Sequence, residues 1–221
     1  MVIKIFQDRS NAGQFLAEKL VAYANRPDVV VLGLPRGGVP VAYEVARVLR
    51  APLDIFVVRK LGVPEQEELA FGAVASGGIR VLNRDVLSAI DLPQTIIDEV
   101  ITREQRELER REREYRGNRP PLELHDHSVI VVDDGMATGS SMRAAVRALR
   151  RRKPRQIVVA VPVGARETCE SFQHEADTIA VCAITPEPFR AVGLWYADFT
   201  QVMDDEVRDL LERSRQAKKA A

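Results

Sequence analysis

Two adjacent carboxylates followed by a loop of small residues are the part of this sequence best suited to chemistry. Asp133 and Asp134 end an apolar run, and the loop Gly135–Ser141 precedes a helical spacing of apolar residues that begins at Met142. The first turn of a helix has unpaired N–H groups that bind anions, and small residues let a phosphate approach them. Carboxylates accept hydrogen bonds from a sugar diol and attract Mg2+. The pattern predicts a sugar-phosphate site, and a tight turn with a capping aspartate is the simpler alternative.

A second loop of this kind lies near the start of the chain. The apolar run Asp28–Leu34 enters Pro35-Arg36-Gly37-Gly38, and a helix is expected over Val39–Leu49. Neither loop has the GxGxxG order of a dinucleotide site or the Gly-Lys-Ser/Thr ending of a P-loop. Two such units predict two anion pockets at one edge of a parallel sheet. The alternative for the second loop is a glycine turn with a solvated arginine.

Strand and helix patterns alternate from Val29 onward, which predicts an α/β fold with a doubly wound, mostly parallel sheet. Leu61–Leu69 contains Gly, Pro and acidic residues and is expected to be a mobile loop. The long charged helix expected over Asp91–Arg116 should pack on the sheet, and the alternative is that it forms a coiled-coil dimer seam. The other expected elements are a first helix from Asp8 or Ser10 to Asn25, strands over Asp54–Lys60, Ala70–Ser76, Ile79–Leu82, Gln156–Val163 and Asp177–Ile184, and helices over Asp91–Arg116, Arg166–His174 and Asp204–Lys218.

Bulk properties narrow the class of protein. Lys+Arg and Asp+Glu each total 32, so no net field favours nucleic acid or an anionic membrane. Cys169 and Cys182 are only two cysteines and have no metal-site spacing, which argues against a disulfide framework and for a reducing compartment. No apolar segment is long enough to span a bilayer, so we expect a cytoplasmic protein. Residues 1–221 are expected to form one domain, with its core at about 28–184.

The segment VIVVDDGMATGSS, residues 129–141, resembles the phosphoribosyl pyrophosphate (PRPP) signature of the type I phosphoribosyltransferases. The resemblance implies that Asp133 and Asp134 bind the ribose hydroxyls and, together with PRPP, Mg2+. It implies that Arg36 and Gly37 bind pyrophosphate, often beside a non-proline cis peptide. Arg59 and Lys60, at a strand end beside the two anion loops, could neutralise pyrophosphate, or they are a solvated strand end; we take Lys60, Asp133 and Asp134 as the catalytic set. The implied 5′-phosphate loop is Gly135, Met136, Ala137, Thr138, Gly139, Ser140 and Ser141.

The segment Thr185–Phe199 is rich in aromatic residues. It can be a loop that packs over the core, but the resemblance implies a substrate-selecting hood, formed by residues 185–199 with the N-terminal segment. It loosely resembles the base-binding segment of hypoxanthine-guanine phosphoribosyltransferases. The spacing from Gly193 to Asp198 is one residue longer than in that family. Ala137 replaces the aspartate that handles a base proton there, which disfavours a 6-oxopurine acceptor. The acceptor residues expected by resemblance are Phe189, Val192, Trp195 and Asp198.

Nearly the whole chain is similar to uncharacterised bacterial and archaeal phosphoribosyltransferases, which share PRGGVPVA, a VRK strand and a WY-DF hood. The resemblance implies an enzyme of nucleotide metabolism that transfers phosphoribosyl from Mg-PRPP to a nitrogen acceptor and releases pyrophosphate. The expected partners are PRPP and a small base, with no nucleic acid and no membrane, and with homodimer formation left open. The alternatives are a non-catalytic PRPP- or nucleotide-binding regulator and a sugar-phosphate phosphohydrolase.

Overall fold

The computed structural model describes residues 5–64, 66–90, 92–173 and 178–220. Eight strands and seven α-helices lie in these ranges, and two 3-10 turns cover Val21–Tyr23 and Val192–Trp195. The strands are β1 Val29–Gly33, β2 Leu53–Ile55, β3 Val58–Val63, β4 Gln66–Ala75, β5 Ile79–Leu82, β6 Ser128–Val132, β7 Gln156–Val163 and β8 Thr178–Ile184. The helices are α1 Arg9–Lys19, α2 Gly38–Leu49, α3 Arg84–Ala89, α4 Gln94–Arg116, α5 Ser140–Arg150, α6 Arg166–Gln173 and α7 Asp204–Ala220.

The main sheet has five parallel strands in the order β2-β1-β6-β7-β8. Successive side chains of a strand enter opposite faces, and both faces of this sheet are covered. Val29 and Val31 pack with α1, α2, α4 and α7, whereas Val30 and Leu32 pack with α5 and α6. Every residue of β1 and β6 is buried, as expected of strands between two helix layers. The predicted doubly wound sheet is therefore confirmed.

A second sheet of three antiparallel strands, β3-β4-β5, corrects two expectations. The predicted strand Asp54–Lys60 is divided between the two sheets, because the chain leaves the parallel sheet after Ile55 and Val58 begins the hairpin. The expected loop Leu61–Leu69 is also wrong, since most of it forms the ends of β3 and β4. Residue 65 lies outside the described ranges. Backbone pairing in the hairpin outweighs the local Gly and Pro signals.

The first and fourth helices show how local signals and packing combine. Asp8 caps α1 by accepting from the Asn11 N–H at 2.8 Å. The helix ends at Lys19 rather than at Asn25, since the chain tightens into a 3-10 turn before β1. Helix α4 packs its apolar stripe against the hairpin and α7, as expected for a helix lying on the sheet.

None of the helices in the described ranges is both long and apolar enough to cross a bilayer.

Cys169 and Cys182 form a disulfide, so the expectation against one is wrong. Cys169 lies in α6 and Cys182 in β8, two consecutive elements that pack against each other. Sequence spacing cannot show this contact, because it arises when the helix folds back onto the strand that follows it. The inference of a reducing compartment loses its basis with this pairing.

The C-terminal end of α4 is held by a buried ion pair. Arg116 Nε lies 3.1 Å from Asp54 Oδ1, and both side chains are at most 5% exposed. Replacing Arg116 by Met should cost about 3–5 kcal/mol of unfolding free energy, because Asp54 would be buried without its counter-ion. Urea denaturation measures the loss. Arg110→Gln, which removes exposed pairs on the same helix, is the control and should change little. Equal losses for the two variants would contradict the structural role of the buried pair.

Candidate functional site

The two small-residue loops meet at one edge of the sheet. Strands β1 and β6 are parallel neighbours, and Gly33 is paired with Val132 at their ends. The chain after β1 continues into α2 on one face, and the chain after β6 continues into α5 on the other. Because the two helices lie on opposite faces, the strand order changes direction between β1 and β6. Open α/β sheets bind ligands in the crevice at the carboxyl ends of the strands at such a point. The two predicted loops therefore lie side by side at this edge of the sheet.

Contact between the loops requires two of the glycines. A side chain at residue 37 would overlap the Asp134 carboxylate, with a Cβ only 2.8 Å from its carboxyl carbon. A Cβ at residue 38 would lie 2.6 Å from the Val132 carbonyl oxygen. The peptide bond between Pro35 and Arg36 is cis, as the resemblance implied for this loop. The PRGG turn therefore lies directly against the acid pair.

The loop Gly135–Ser141 combines exposed residues with a buried anchor, Met136. Met136 is buried, and its backbone pairs with Val163 and Ala165 at 2.9 and 2.8 Å. Gly139 has φ of 71°, a left-handed conformation suited to glycine, and directly precedes α5. The exposed hydroxyls of Thr138 and Ser140 lie 2.7 Å apart at the start of that helix. The backbone and hydroxyl groups here can hold a phosphate.

The acid pair is costly to keep ionised in the free protein. Burial raises the pKa of Asp133 well above its usual value, and the negative charge of Asp134 raises it further. Burial also raises the pKa of Asp134, while the Arg9 guanidinium opposes this rise. A ligand that brings hydroxyls or a cation would relieve the penalty. Within the described ranges, no group of three or more His, Cys, Asp or Glu side chains could hold a metal alone.

Arg9 is a site residue that sequence reasoning missed. Its Nε lies 2.9 Å from Asp134 Oδ2, although the two residues are 125 positions apart. Its Nη1 donates to the Thr200 carbonyl at 2.8 Å, and its guanidinium lies 3.9 Å from the centre of the Phe199 ring. The sequence offered only a short capping signal at this point, so the contact with the acid pair could not be foreseen.

The structure separates the cations expected to bind pyrophosphate. Arg36 lies in the site, with Nη1 3.8 Å from Asp204 Oδ1. Arg59 forms an ion pair with Glu104 of α4, with its Nε 2.8 Å from Glu104 Oε2. Lys60 is exposed on β3. Of these three expected residues, Arg36 is the one that the structure joins most directly to the paired loops.

The hood reaches the loops through Val192 and Tyr196. A Cβ at residue 135 would lie 2.9 Å from a Val192 methyl group, so Gly135 makes room for this side chain. The Tyr196 hydroxyl donates to the Asp134 carbonyl oxygen, and burial strongly raises the pKa of this phenol. The N-terminal segment joins the hood through a backbone bridge between Phe6 and Tyr196.

The other three expected acceptor residues have different surroundings. Phe189 and Trp195 stack on each other with ring centres 6.4 Å apart. Asp198 Oδ1 accepts from the backbone N–H and the hydroxyl of Thr200, at 2.9 and 2.6 Å, and so shapes its own turn. Of the four residues expected to contact the acceptor base, Val192 is therefore the one that contacts the loop Gly135–Ser141.

The parallel sheet, the hairpin and the hood together define the type I phosphoribosyltransferase fold. A family model described as "Phosphoribosyl transferase domain" matches residues 3–184, and the chain belongs to this family. A Mycobacterium tuberculosis H37Rv protein named "Putative phosphoribosyl transferase" is 47% identical over 212 residues. That match covers 96% of this chain but 47% of the relative, so the chain spans about half the length of the curated relatives it matches.

Solved structures share the architecture. A crystal structure of the Thermus thermophilus protein TT1426 is 42% identical with a TM-score of 0.83, covering 95% of this chain and 98% of that one. A Neisseria gonorrhoeae protein with bound ppGpp is 17% identical with a TM-score of 0.51, covering 97% and 99% of the two chains. At this low identity, the second structure supports the fold alone.

The contact between the two loops can be tested by a double-mutant cycle. Gly37→Ala should destabilise the protein by about 1–3 kcal/mol, because the new methyl group overlaps the Asp134 carboxylate. The same change in an Asp134→Ala background should cost much less, since the obstructing group is gone. Urea denaturation of the four proteins gives the coupling energy. Additive losses would show that the loops do not meet in this way.

The burial of Asp133 predicts an unusual pH dependence of stability. Its pKa is higher in the folded than in the unfolded protein, so ionisation costs stability as the pH rises above about 4. Asp133→Asn should therefore raise the melting temperature at pH 8, and the gain should disappear near pH 4. Thermal unfolding across this range measures the difference.

Asp28→Asn is a control for which the expected change in melting temperature at pH 8 has the opposite sign. The hydrogen bond from Arg26 lowers the pKa of Asp28 to about 2, so its ionised form contributes stability above its unfolded pKa. That contribution is lost as the pH falls through about 2. Asp28→Asn should lower the melting temperature at pH 8. A loss of the same size for Asp133→Asn would contradict the assigned penalty at Asp133.

Proposed function

We propose that this chain is a Mg2+-dependent phosphoribosyltransferase that transfers the phosphoribosyl group of PRPP to a nitrogen acceptor and releases pyrophosphate. The observation that carries the proposal is the direct contact between the Asp133–Asp134 pair and the PRGG turn. A small molecule with phosphate-type groups on either side of a hydroxyl-bearing centre would contact both loops and the acid pair. PRPP has this order of groups.

The loops suit different parts of that molecule. The 5′-phosphate would lie on Gly135–Ser141, where exposed hydroxyls and the start of α5 provide donors. Asp133 and Asp134 would accept hydrogen bonds from the ribose hydroxyls. The pyrophosphate would lie on Arg36 and Gly37, with Lys60 approaching from the hairpin. Each group of the substrate thus has a partner of suitable charge.

Asp133 and Asp134 fit a magnesium ion that arrives with the substrate. Two adjacent carboxylates whose burial raises their pKa values gain from a nearby cation. Mg2+ is commonly bound by one or two carboxylates together with substrate phosphates. When bound, the ion would neutralise charge on the pyrophosphate.

The protein's contribution to the chemistry is positioning and charge. As the bond from C1′ to the pyrophosphate oxygen breaks, the electron pair leaves with pyrophosphate, and C1′ takes on oxocarbenium character. The lone pair of the acceptor nitrogen then forms the new bond, and the proton on that nitrogen leaves to water or to the departing pyrophosphate. The two loops would bind the ribose and its phosphate groups, and the hood would place the acceptor beside C1′ and exclude water. This reaction needs no covalent nucleophile on the protein.

Titration calorimetry with PRPP and Mg2+ tests the binding. We expect a free energy of roughly −7 to −8 kcal/mol, in the micromolar range. Asp134→Asn should weaken binding at least about tenfold, about 1.4 kcal/mol, because it removes a charged hydrogen-bond acceptor. Asp98→Asn removes an exposed carboxylate on α4 and is the matched control, with unchanged affinity expected. Equal affinities for wild type and Asp134→Asn would contradict the assignment.

The products separate this proposal from the two alternatives. Pyrophosphate release that depends on a purine, pyrimidine or related base identifies a transferase. Phosphate released without an acceptor identifies a phosphohydrolase. Binding of PRPP or ppGpp with no turnover on any base identifies a regulator. The ppGpp arm is included because the Neisseria gonorrhoeae structure with this fold contains that ligand.

A further inference from the structure

Arg9 is held by three segments that meet only in the folded protein. It is the first residue of α1, it pairs with Asp134 at the end of β6, and it donates to Thr200 after the hood. The Phe199 ring covers its guanidinium, and the side chain is 11% exposed. Such a position costs a cation much of its hydration, so it needs anionic partners throughout any binding cycle.

The carboxylate oxygen that Arg9 holds also faces the PRGG turn. Asp134 Oδ2 is the atom that a side chain at residue 37 would overlap, and it lies 2.9 Å from Arg9 Nε. One carboxylate oxygen therefore separates the guanidinium from the turn. An anion bound on the PRGG turn would lie close enough for Arg9 to reach by a side-chain rotation.

The cations first expected to serve pyrophosphate leave room for this role. Arg59 is paired with Glu104, and Arg36 shares Asp204 with the buried Tyr115 hydroxyl. The partner of Arg9 is different, because Asp134 is the acid expected to receive ribose hydroxyls. Ribose hydroxyls that donate to Asp134 would compete with Arg9 for that carboxylate, and an anion on the PRGG turn would offer the guanidinium a second partner.

We infer that Arg9 is an additional pyrophosphate-binding residue, which moves from Asp134 to the diphosphate group when PRPP occupies the acid pair. The inference rests on the proposed function and adds a residue to the same site. In this role Arg9 contacts the leaving group. The charge on the pyrophosphate oxygen grows as the bond to C1′ breaks, and a guanidinium held at that point stabilises the charge.

The test compares Mg2+ complexes of PRPP, pyrophosphate and ribose 5-phosphate by titration calorimetry. Ribose 5-phosphate keeps the phosphate and hydroxyls but has no diphosphate. Arg9→Gln should weaken PRPP and pyrophosphate binding at least about tenfold, while ribose 5-phosphate binding should change less than about threefold. Arg9→Lys keeps the charge without the planar fork and should recover part of the loss.

Other outcomes overturn the inference in recognisable ways. An equal loss for all three ligands would mean that Arg9 acts only by positioning Asp134. Unchanged PRPP and pyrophosphate affinities would exclude a contact with the leaving group. Failure of the wild-type protein to bind PRPP would instead refute the proposed function and, with it, this inference.

Arg26→Gln is the matched control. Arg26 also pairs with a carboxylate, at 2.8 Å from Asp28 Oδ2, and lies over an aromatic ring, Tyr23. It is located where β1 begins, at the opposite edge of the sheet, so none of the three affinities should change. Thermal unfolding of each variant shows whether the protein is folded at the titration temperature. If Arg9→Gln is unfolded there, the comparison is made with Arg9→Lys, for which a selective loss with PRPP and pyrophosphate is still required.

Discussion

The in-register pairing of β1 with β6 is the constraint on which the site depends. Gly33 and Val132 end their strands side by side, so the two following loops must share one crevice. Because α2 and α5 then leave to opposite faces, the two loops can contact each other directly at this edge. A shift of one residue in this register would turn the buried side chains of β6 to the other face, so the hydrophobic core itself fixes the positions of the loops.

Burial of the acid pair links the hood to the core. Asp133 and Asp134 are placed where their charges are poorly solvated, and Arg9 provides part of the missing compensation. Tyr196 binds the backbone of the same segment, so two hood-side contacts converge on Asp134. Arg9 also contacts Phe199 and Thr200, so the proposed change of its partners on ligand binding would reach the hood. In the proposed function, binding of the sugar phosphate and placement of the acceptor would be coupled through these few contacts.

Local patterns were sufficient for the parts of the structure that local physics determines. The buried runs before residues 35 and 133 predicted parallel strands, and the glycines and hydroxyls after them predicted the loops that meet in the crevice. The division of Asp54–Lys60 between two sheets was not predictable, because an apolar run has the same pattern in either sheet. Arg9 and the Cys169–Cys182 pair depend on contacts between distant elements. Arg59 was placed correctly in a strand, but its partner comes from α4, which local sequence does not show.

The balance of charges suggests how a neutral protein can bind a polyanion. Lys+Arg and Asp+Glu are equal at 32, and two arginines of the crevice have carboxylate partners: Arg9 with Asp134, Arg36 with Asp204. A phosphorylated ligand therefore meets no large attractive field, and its binding exchanges one set of ion pairs for another. The net gain is the difference between the two sets, because the carboxylates that now hold these cations compete with phosphate for them. In the proposed function this exchange would give selectivity, because a ligand with both hydroxyls and a diphosphate would give Asp134 and Arg9 new partners together. A ligand with one of these groups would serve only one of the two residues.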